Sequence, residues 1–217
     1  MIFFKLFIVA IVSYLLGSCN FGVIISKSLK KEDIRESGSG NAGTTNMMRT
    51  YGKTLGILTI IGDIAKVFVA IWLAFKIMSV EETKMIFDRI SDNPQCVLKS
   101  FAGLFAVAGH IFPCFFKFKG GKGVATSGGM VIMIDWRIAL ILFAIFVLII
   151  LITRYVSLGS IIMAVLYPVF MGLFHKDLGL VIISLVFTVI VVMAHRENIK
   201  KLINHTENKI GSKKQKE

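Results

Sequence analysis

The residues with the spacing to do chemistry fall in three short polar runs. In the first, Ser37-Gly38-Ser39-Gly40-Asn41-Ala42-Gly43-Thr44-Thr45-Asn46-Met47-Met48-Arg49, glycines alternate with small hydroxyl and amide side chains, and an arginine closes the run. Glycine reaches positive φ without a Cβ clash, so such a loop can turn successive N–H groups toward one point. Ser, Thr and Asn add neutral donors, and Arg49 adds a planar cationic fork suited to phosphate. The second run, Lys117-Phe118-Lys119-Gly120-Gly121-Lys122-Gly123, repeats that chemistry with lysines. One glycine loop alone could be a turn between helices; two basic ones in a small chain argue for a site that handles phosphate. The third run is His195-Arg196-Glu197-Asn198, where a spacing of three puts His195 and Asn198 on one side of a helix. Taken by itself, His195 could equally be an interfacial histidine capping a helix end.

The elements that carry these runs belong to a membrane protein. The chain has 217 residues, 55% of them hydrophobic, and a mean hydropathy of +0.77. A soluble core of this size does not need repeated apolar runs near the bilayer-spanning length of about 20 residues. The expected fold is an all-α integral membrane protein with one membrane domain over residues 1–195 and a basic cytoplasmic tail over 196–217. The last seven residues, 211–217, read as disordered. A net charge of +12 could suggest nucleic acid, but in a membrane protein it reflects cytoplasmic Lys and Arg facing anionic headgroups. Nucleic acid is therefore not an expected partner. Cys19, Cys96 and Cys114 show no metal-ligand spacing and no disulfide framework.

Apolar spans are expected at about residues 2–25, 55–78, 96–116, 124–134, 138–152, 158–174 and 178–194. Leu16-Gly17-Ser18-Cys19 mimics a lipoprotein cleavage site, yet the apolar run continues past Cys19 and no basic segment precedes it. Asp63 and Lys66 lie three apart in the second span, where they can pair on one helix face as a tether between helices. The span at 124–134 is too short to cross upright alone; either it is partly re-entrant, or it is lengthened by the glycine-rich approach and screened by neighbouring helices. Counting it gives about seven transmembrane helices. Seventeen of the 25 Lys and Arg then fall on the side of the three polar runs, seven fall on the other, and Lys66 lies within a span. The positive-inside bias puts the N-terminus outside and both glycine loops and the C-terminus in the cytoplasm.

Several machineries are excluded. There is no G-x-S-x-G elbow for a serine nucleophile. Gly52-Lys53-Thr54 resembles the end of a P-loop, but Met47 stands where the first glycine is required. No histidine is followed five residues later by Asp, so H-x-x-x-x-D acyltransferase chemistry is absent. Glu32, Asp33, Glu36, Glu197 and Glu207 form no paired set for Mg²⁺. A site without metal or cofactor, rich in anion donors and holding one histidine, suits substrates that bring their own reactivity.

The three runs resemble the motifs of the bacterial membrane acyl-phosphate:glycerol-3-phosphate acyltransferase family, known as PlsY. The likeness covers residues 37–49, 109–126 and 195–207, and extends to motif order and hydropathy over nearly the whole chain. One departure is Asn20, where members often carry Pro. The resemblance implies acyl transfer from acyl phosphate to the 1-hydroxyl of glycerol 3-phosphate, giving lysophosphatidate and phosphate for phospholipid synthesis at the bacterial cytoplasmic membrane. By the same resemblance Ser39, Arg49, Lys122, His195 and Asn198 are the catalytic residues. Gly40, Asn41, Gly43, Thr45, Asn46, Lys119, Gly120, Gly121 and Ser160 are the substrate-binding ones, and the second motif is the glycerol 3-phosphate region.

An acyl phosphate is already activated, so no covalent enzyme intermediate is needed. The enzyme must hold two phosphates close, offset their repulsion and place the hydroxyl near the acyl carbon. Either His195 or the donor's own phosphate oxygen could take the hydroxyl proton. From another class, a small transporter for a phosphorylated metabolite would also use basic glycine loops. Such sites sit near the bilayer midplane in internal repeats, and no repeat is evident here.

Overall fold

The computed structural model describes residues 1–210, and among these every regular element is helical. Eleven α-helices follow in order: α1 (Ile2–Ser18), α2 (Phe21–Ile25), α3 (Thr44–Tyr51), α4 (Lys53–Ile77), α5 (Val80–Phe87), α6 (Pro94–Ile111), α7 (Val124–Ile134), α8 (Trp136–Thr153), α9 (Val156–His175), α10 (Leu178–Ala194) and α11 (Arg196–Ile203). All seven expected apolar segments are helices. By length and composition four of them can cross a bilayer alone, and up to six can if each bent pair is one span. The molecule is a multi-pass membrane protein.

The first span is broken where the apolar pattern meets Gly17-Ser18-Cys19-Asn20. The α1 axis and the following helical segment bend by 41°. Buried Asn20 starts the new helix by accepting a hydrogen bond from the Val23 N–H at 3.5 Å. A capping amide thus sits at the departure from the family pattern. The bundle is closed by small residues. A Cβ on Gly17 would collide with the Ala106 backbone, and one on Gly109 with the Tyr14 carbonyl, so α1 and α6 pack backbone to backbone. Around that seam lies an apolar core that includes Val67, Ile71, Leu98, Ala102, Ala106 and Met130.

Helix α7 resolves the short apolar run. Its 11 residues span only about 16 Å, and it is packed among α4, α6 and α8. Neighbours screen it, but the glycine-rich approach does not lengthen it, because the helix begins only at Val124. Helix α8 does the opposite: only 11% of its span is buried, and it offers lipid an apolar surface.

Two short helices were not expected. The segment after the second span folds as α5, held by a capping box between Ser79 and Glu82. The hydrophilic stretch after the first span contains α3, so Thr45, Asn46 and Arg49 stand on a helix and not in a loop. The basic tail expected from residue 196 begins with α11, which packs on α9 and α10. Residues 211–217, expected to be disordered, lie outside the described residues.

Candidate active site

The first glycine loop is built around one amide. Buried Asn46 donates through Nδ2 to the carbonyls of Ile34 (3.1 Å), Ser37 (2.9 Å) and Asn41 (2.9 Å), and its Oδ1 accepts the Ser39 N–H at 2.8 Å. Gly38 (φ 65°) and Gly40 (φ 73°) take the left-handed turns that let the backbone wrap this side chain. The Asn41 side chain caps the Gly43 N–H at 3.0 Å. Ser39 and Arg49 are exposed at the end of this assembly, and among the described residues the Arg49 guanidinium has no hydrogen bond or ion pair.

The second loop is built from its surroundings. The Gly120 N–H donates to the Ile111 carbonyl and the Gly121 N–H to that of His110, both at 3.1 Å. A Cβ on Gly120 would strike the His110 carbonyl, and one on Gly121 would strike His110 Nε2. These glycines are therefore needed for close packing on the end of α6, and their N–H groups are already paired. The left-handed turns fall on Lys117 (φ 57°), Phe118 (φ 56°) and Gly123 (φ 77°). The expected cradle of glycine N–H groups is accordingly replaced by something else. Gly43 and Gly123 each lead directly into a helix, and the first N–H groups of α3 and α7 have no intrahelical partner. Buried hydroxyls without a hydrogen-bond partner stand there too: Thr44 on α3, and Thr126 and Ser127 on α7. Unmatched buried hydroxyls beside free helix N-termini mark places suited to an anionic ligand.

One guanidinium clasps the two loops. Arg35 Nη1 donates to the carbonyls of Phe116 and Lys119, both at 2.8 Å. Its Nε and Nη2 are held by Asp33 at 2.9 and 2.7 Å, and Lys27 adds a second cation to Asp33 at 3.1 Å. Arg35 and Lys27 together hold the Asp33 carboxyl well below the usual carboxylate range.

The third run closes on the second loop. His195, 1% exposed, donates through Nδ1 to the Val191 carbonyl at 2.8 Å. That bond leaves Nε2 as the ring's acceptor. Burial, with a smaller contribution from nearby Lys122, pushes the imidazole down to about 4, so it is neutral at physiological pH. Asn198 Nδ2 donates to Glu207 Oε1 at 2.9 Å, and the Ser157 hydroxyl donates to the same oxygen at 3.0 Å. The other oxygen, Glu207 Oε2, is buried without a partner. Burial lowers Lys122, while the Glu207 carboxylate within electrostatic reach offsets part of that effect. Buried Ser160 lies one turn along α9 from Ser157 and returns its hydroxyl to the Val156 carbonyl at 2.9 Å.

Lys122, His195 and Asn198 thus gather around Glu207 beside the start of α9, where Ser160 stands one turn from Ser157, whereas Ser39 on the first loop and Arg49 on α3 lie on the side that the Arg35 clasp joins to the second loop. Lys119 is exposed at the rim, its carbonyl taken by Arg35. Thr45 is exposed on the first turn of α3. Glu207 and Ser157 are additions to the expected set. Glu207 sits at the end of the third motif, but nothing in the sequence shows that it reaches across 50 residues to Ser157. Among the described residues no group of His, Cys, Asp and Glu gathers as a metal ligand set.

Comparison with known proteins bears on this arrangement. The sequence profile described as glycerol-3-phosphate acyltransferase matches residues 7–205. The chain belongs to the glycerol-3-phosphate acyltransferase family. It is 40% identical to the glycerol-3-phosphate acyltransferase of Clostridioides difficile (strain 630), over 98% of both chains. It is also 40% identical to that of Bacillus subtilis (strain 168), over 92% of this chain and 95% of the relative. The fold is similar to a crystal structure of PlsY (YgiH), an integral membrane glycerol 3-phosphate acyltransferase, in its glycerol 3-phosphate form. That match has a TM-score of 0.81 and 37% identity, over 95% of this chain and 96% of the other. The lysophosphatidic acid form of the same protein matches with a TM-score of 0.79. The protein is an acyltransferase of this family, and the clustered motifs are its candidate active site.

Proposed function

We propose that the protein transfers an acyl group from an acyl phosphate to the 1-hydroxyl of glycerol 3-phosphate, releasing lysophosphatidate and phosphate. The reaction takes place on the cytoplasmic face of the bacterial cytoplasmic membrane and serves phospholipid synthesis. The observation that carries this reading is the pair of basic glycine loops, each opening onto a helix N-terminus and clasped together by Arg35. Two anion sites held at a fixed separation suit a reaction that joins two phosphate-bearing substrates. In this reading Arg49 with Ser39 and Thr45 receives the donor phosphate. Lys122 with the α7 N-terminus receives glycerol 3-phosphate.

The hydroxyl oxygen attacks the acyl carbon, the bond from that carbon to the phosphate oxygen breaks, and phosphate leaves with the pair of electrons. The departing phosphate takes the hydroxyl proton. His195, neutral and with Nδ1 tied to Val191, accepts a hydrogen bond from the hydroxyl through Nε2 and orients it. Asn198 and Ser160 complete the wall on that side. Cations and helix N-termini already offset the charge that develops on the phosphate.

The test is an assay of purified protein with labelled glycerol 3-phosphate in excess EDTA. Acyl phosphate should support full turnover, with lysophosphatidate and phosphate formed in equal amounts. Comparable rates with acyl-CoA or acyl-carrier protein, or an absolute need for Mg²⁺, would refute the proposal.

A further inference from the structure

Three ionisable side chains are buried inside the bundle directly beneath the second loop. Asp63 and Lys66 on α4 and His110 on α6 are 1%, 4% and 3% exposed. Lys66 Nζ has three protons and three aligned acceptors: the Gly17 carbonyl at 2.9 Å, the Cys19 carbonyl at 3.1 Å and His110 Nδ1 at 2.8 Å. Asp63 Oδ1 stands 2.9 Å away as the counter-ion. An ammonium has no lone pair, so His110 Nδ1 accepts, and its proton is carried on Nε2. That Nε2 edge lies against Gly121, while the His110 carbonyl accepts the Gly121 N–H. Gly17 and Cys19 lie where α1 ends and the chain turns toward the first loop, so Lys66 also caps that helix end. One ammonium therefore joins α1, α4 and α6 at the level where both loops begin.

Charges at this depth are costly, and a helix tether alone could be made by apolar packing of the same volume. What apolar packing would not supply is a fixed imidazole edge under Gly121, one residue from Lys122. We propose that Asp63, Lys66 and His110 are positioning residues, which hold the second glycine loop and through it Lys122 at the glycerol 3-phosphate site. The proposal rests on the assignment of Lys122 to that substrate.

Two sets of variants test it, each measured for kcat, for KM of both substrates and for thermal stability in detergent. Asp63→Asn/Lys66→Met removes the ion pair without leaving a lone buried charge. It should raise KM for glycerol 3-phosphate about tenfold, with kcat and KM for acyl phosphate changed less than about threefold. The second set is a double-mutant cycle. Gly121→Ala alone should lose most activity, because its Cβ meets the imidazole. In a His110→Ala background the same change should cost less than about threefold more.

A fall in stability with KM for glycerol 3-phosphate unchanged, or equal effects on both substrates, would overturn the proposal. If the Asp63→Asn/Lys66→Met protein fails to insert, the cycle decides alone, and additive losses overturn the proposal. A Lys122→Met control keeps the two readings apart. Unchanged KM for glycerol 3-phosphate there overturns the substrate assignment, while the His110–Gly121 coupling is still read in kcat/KM.

Discussion

The two glycine loops hold three glycines each and are held in opposite ways. The first is self-contained: Asn46, seven residues after Ser39, makes four hydrogen bonds that fold the loop around its own side chain. A small apolar cluster of Val23, Ile34, Ala42 and Met47 seals its underside. The second has no such amide. Its glycines rest on backbone carbonyls at the end of α6, and a buried imidazole from that helix supports Gly121. Glycine in the first loop supplies turns; glycine in the second supplies room. The glycines themselves do not distinguish these uses, because both need the missing Cβ.

The largest effects should come from removing what each loop is built on. Asn46→Ala strands three carbonyls and an N–H, which should destabilise the first loop by about 2–4 kcal/mol. Activity should fall at least about a hundredfold. Limited proteolysis should then cut within residues 37–46 and spare 117–122. Cleavage at both loops would show that the first loop is not self-contained. Gly120→Ala should be as severe for the opposite reason. Its Cβ meets the His110 main chain, so His110→Ala should not relieve it, in contrast to the relief expected for Gly121→Ala.

The same contrast sets how much of the site is legible in the sequence. Asn46 and Ser39 share one motif, so the first loop could be located and its residues named from sequence. The helix over residues 44–51 was missed because Thr, Asn and Met carry no apolar period that separates it from the loop. The seven apolar segments were readable because hydrophobic runs report burial directly. Partners far apart in sequence were not readable. His110 meets Lys66 across 44 residues, and Ser157 meets Glu207 across 50. The Asp63–Lys66 pair was foreseen, because a spacing of three on one helix is a local signal.

An intermediate effect is expected where the two loops meet. Arg35→Lys keeps a cation beside Asp33, but an ammonium cannot hold that carboxylate on two edges while reaching both Phe116 and Lys119. KM for both substrates should rise about tenfold with kcat less affected, since the sites remain but their separation is no longer fixed. The pH dependence has a definite sign. Asp33 is lowered on folding, so the clasp's contribution is complete above the ordinary carboxylate value and is lost only as pH falls through the lower folded value. The ratio of KM in Arg35→Lys to KM in the wild type, from which the titration of the substrate phosphates cancels, should therefore stay constant down to about pH 4. A ratio that already changes near neutral pH would remove the Asp33–Arg35 pair from the control of loop spacing.

The smallest effect is expected at Gly40, and it separates a turn from a contact. Gly40 has φ 73°, and the nearest atom to an added Cβ is the Arg35 carbonyl oxygen at an ordinary 3.5 Å. The protein itself therefore has space for a side chain there. Alanine in this left-handed conformation costs about 1–2 kcal/mol, whereas asparagine adopts it more readily. Two substitutions with one shared atom can thus be compared. If Gly40, which the family resemblance puts in the substrate-binding set, meets the donor phosphate beside Ser39, Gly40→Ala and Gly40→Asn should both raise KM for acyl phosphate by about fivefold, because both add a Cβ at the contact. Should Gly40→Asn behave like the wild type while Gly40→Ala is impaired, the cost is backbone strain alone. Gly40 would then leave the binding set, and the first loop's glycines would serve only to wrap the chain around Asn46.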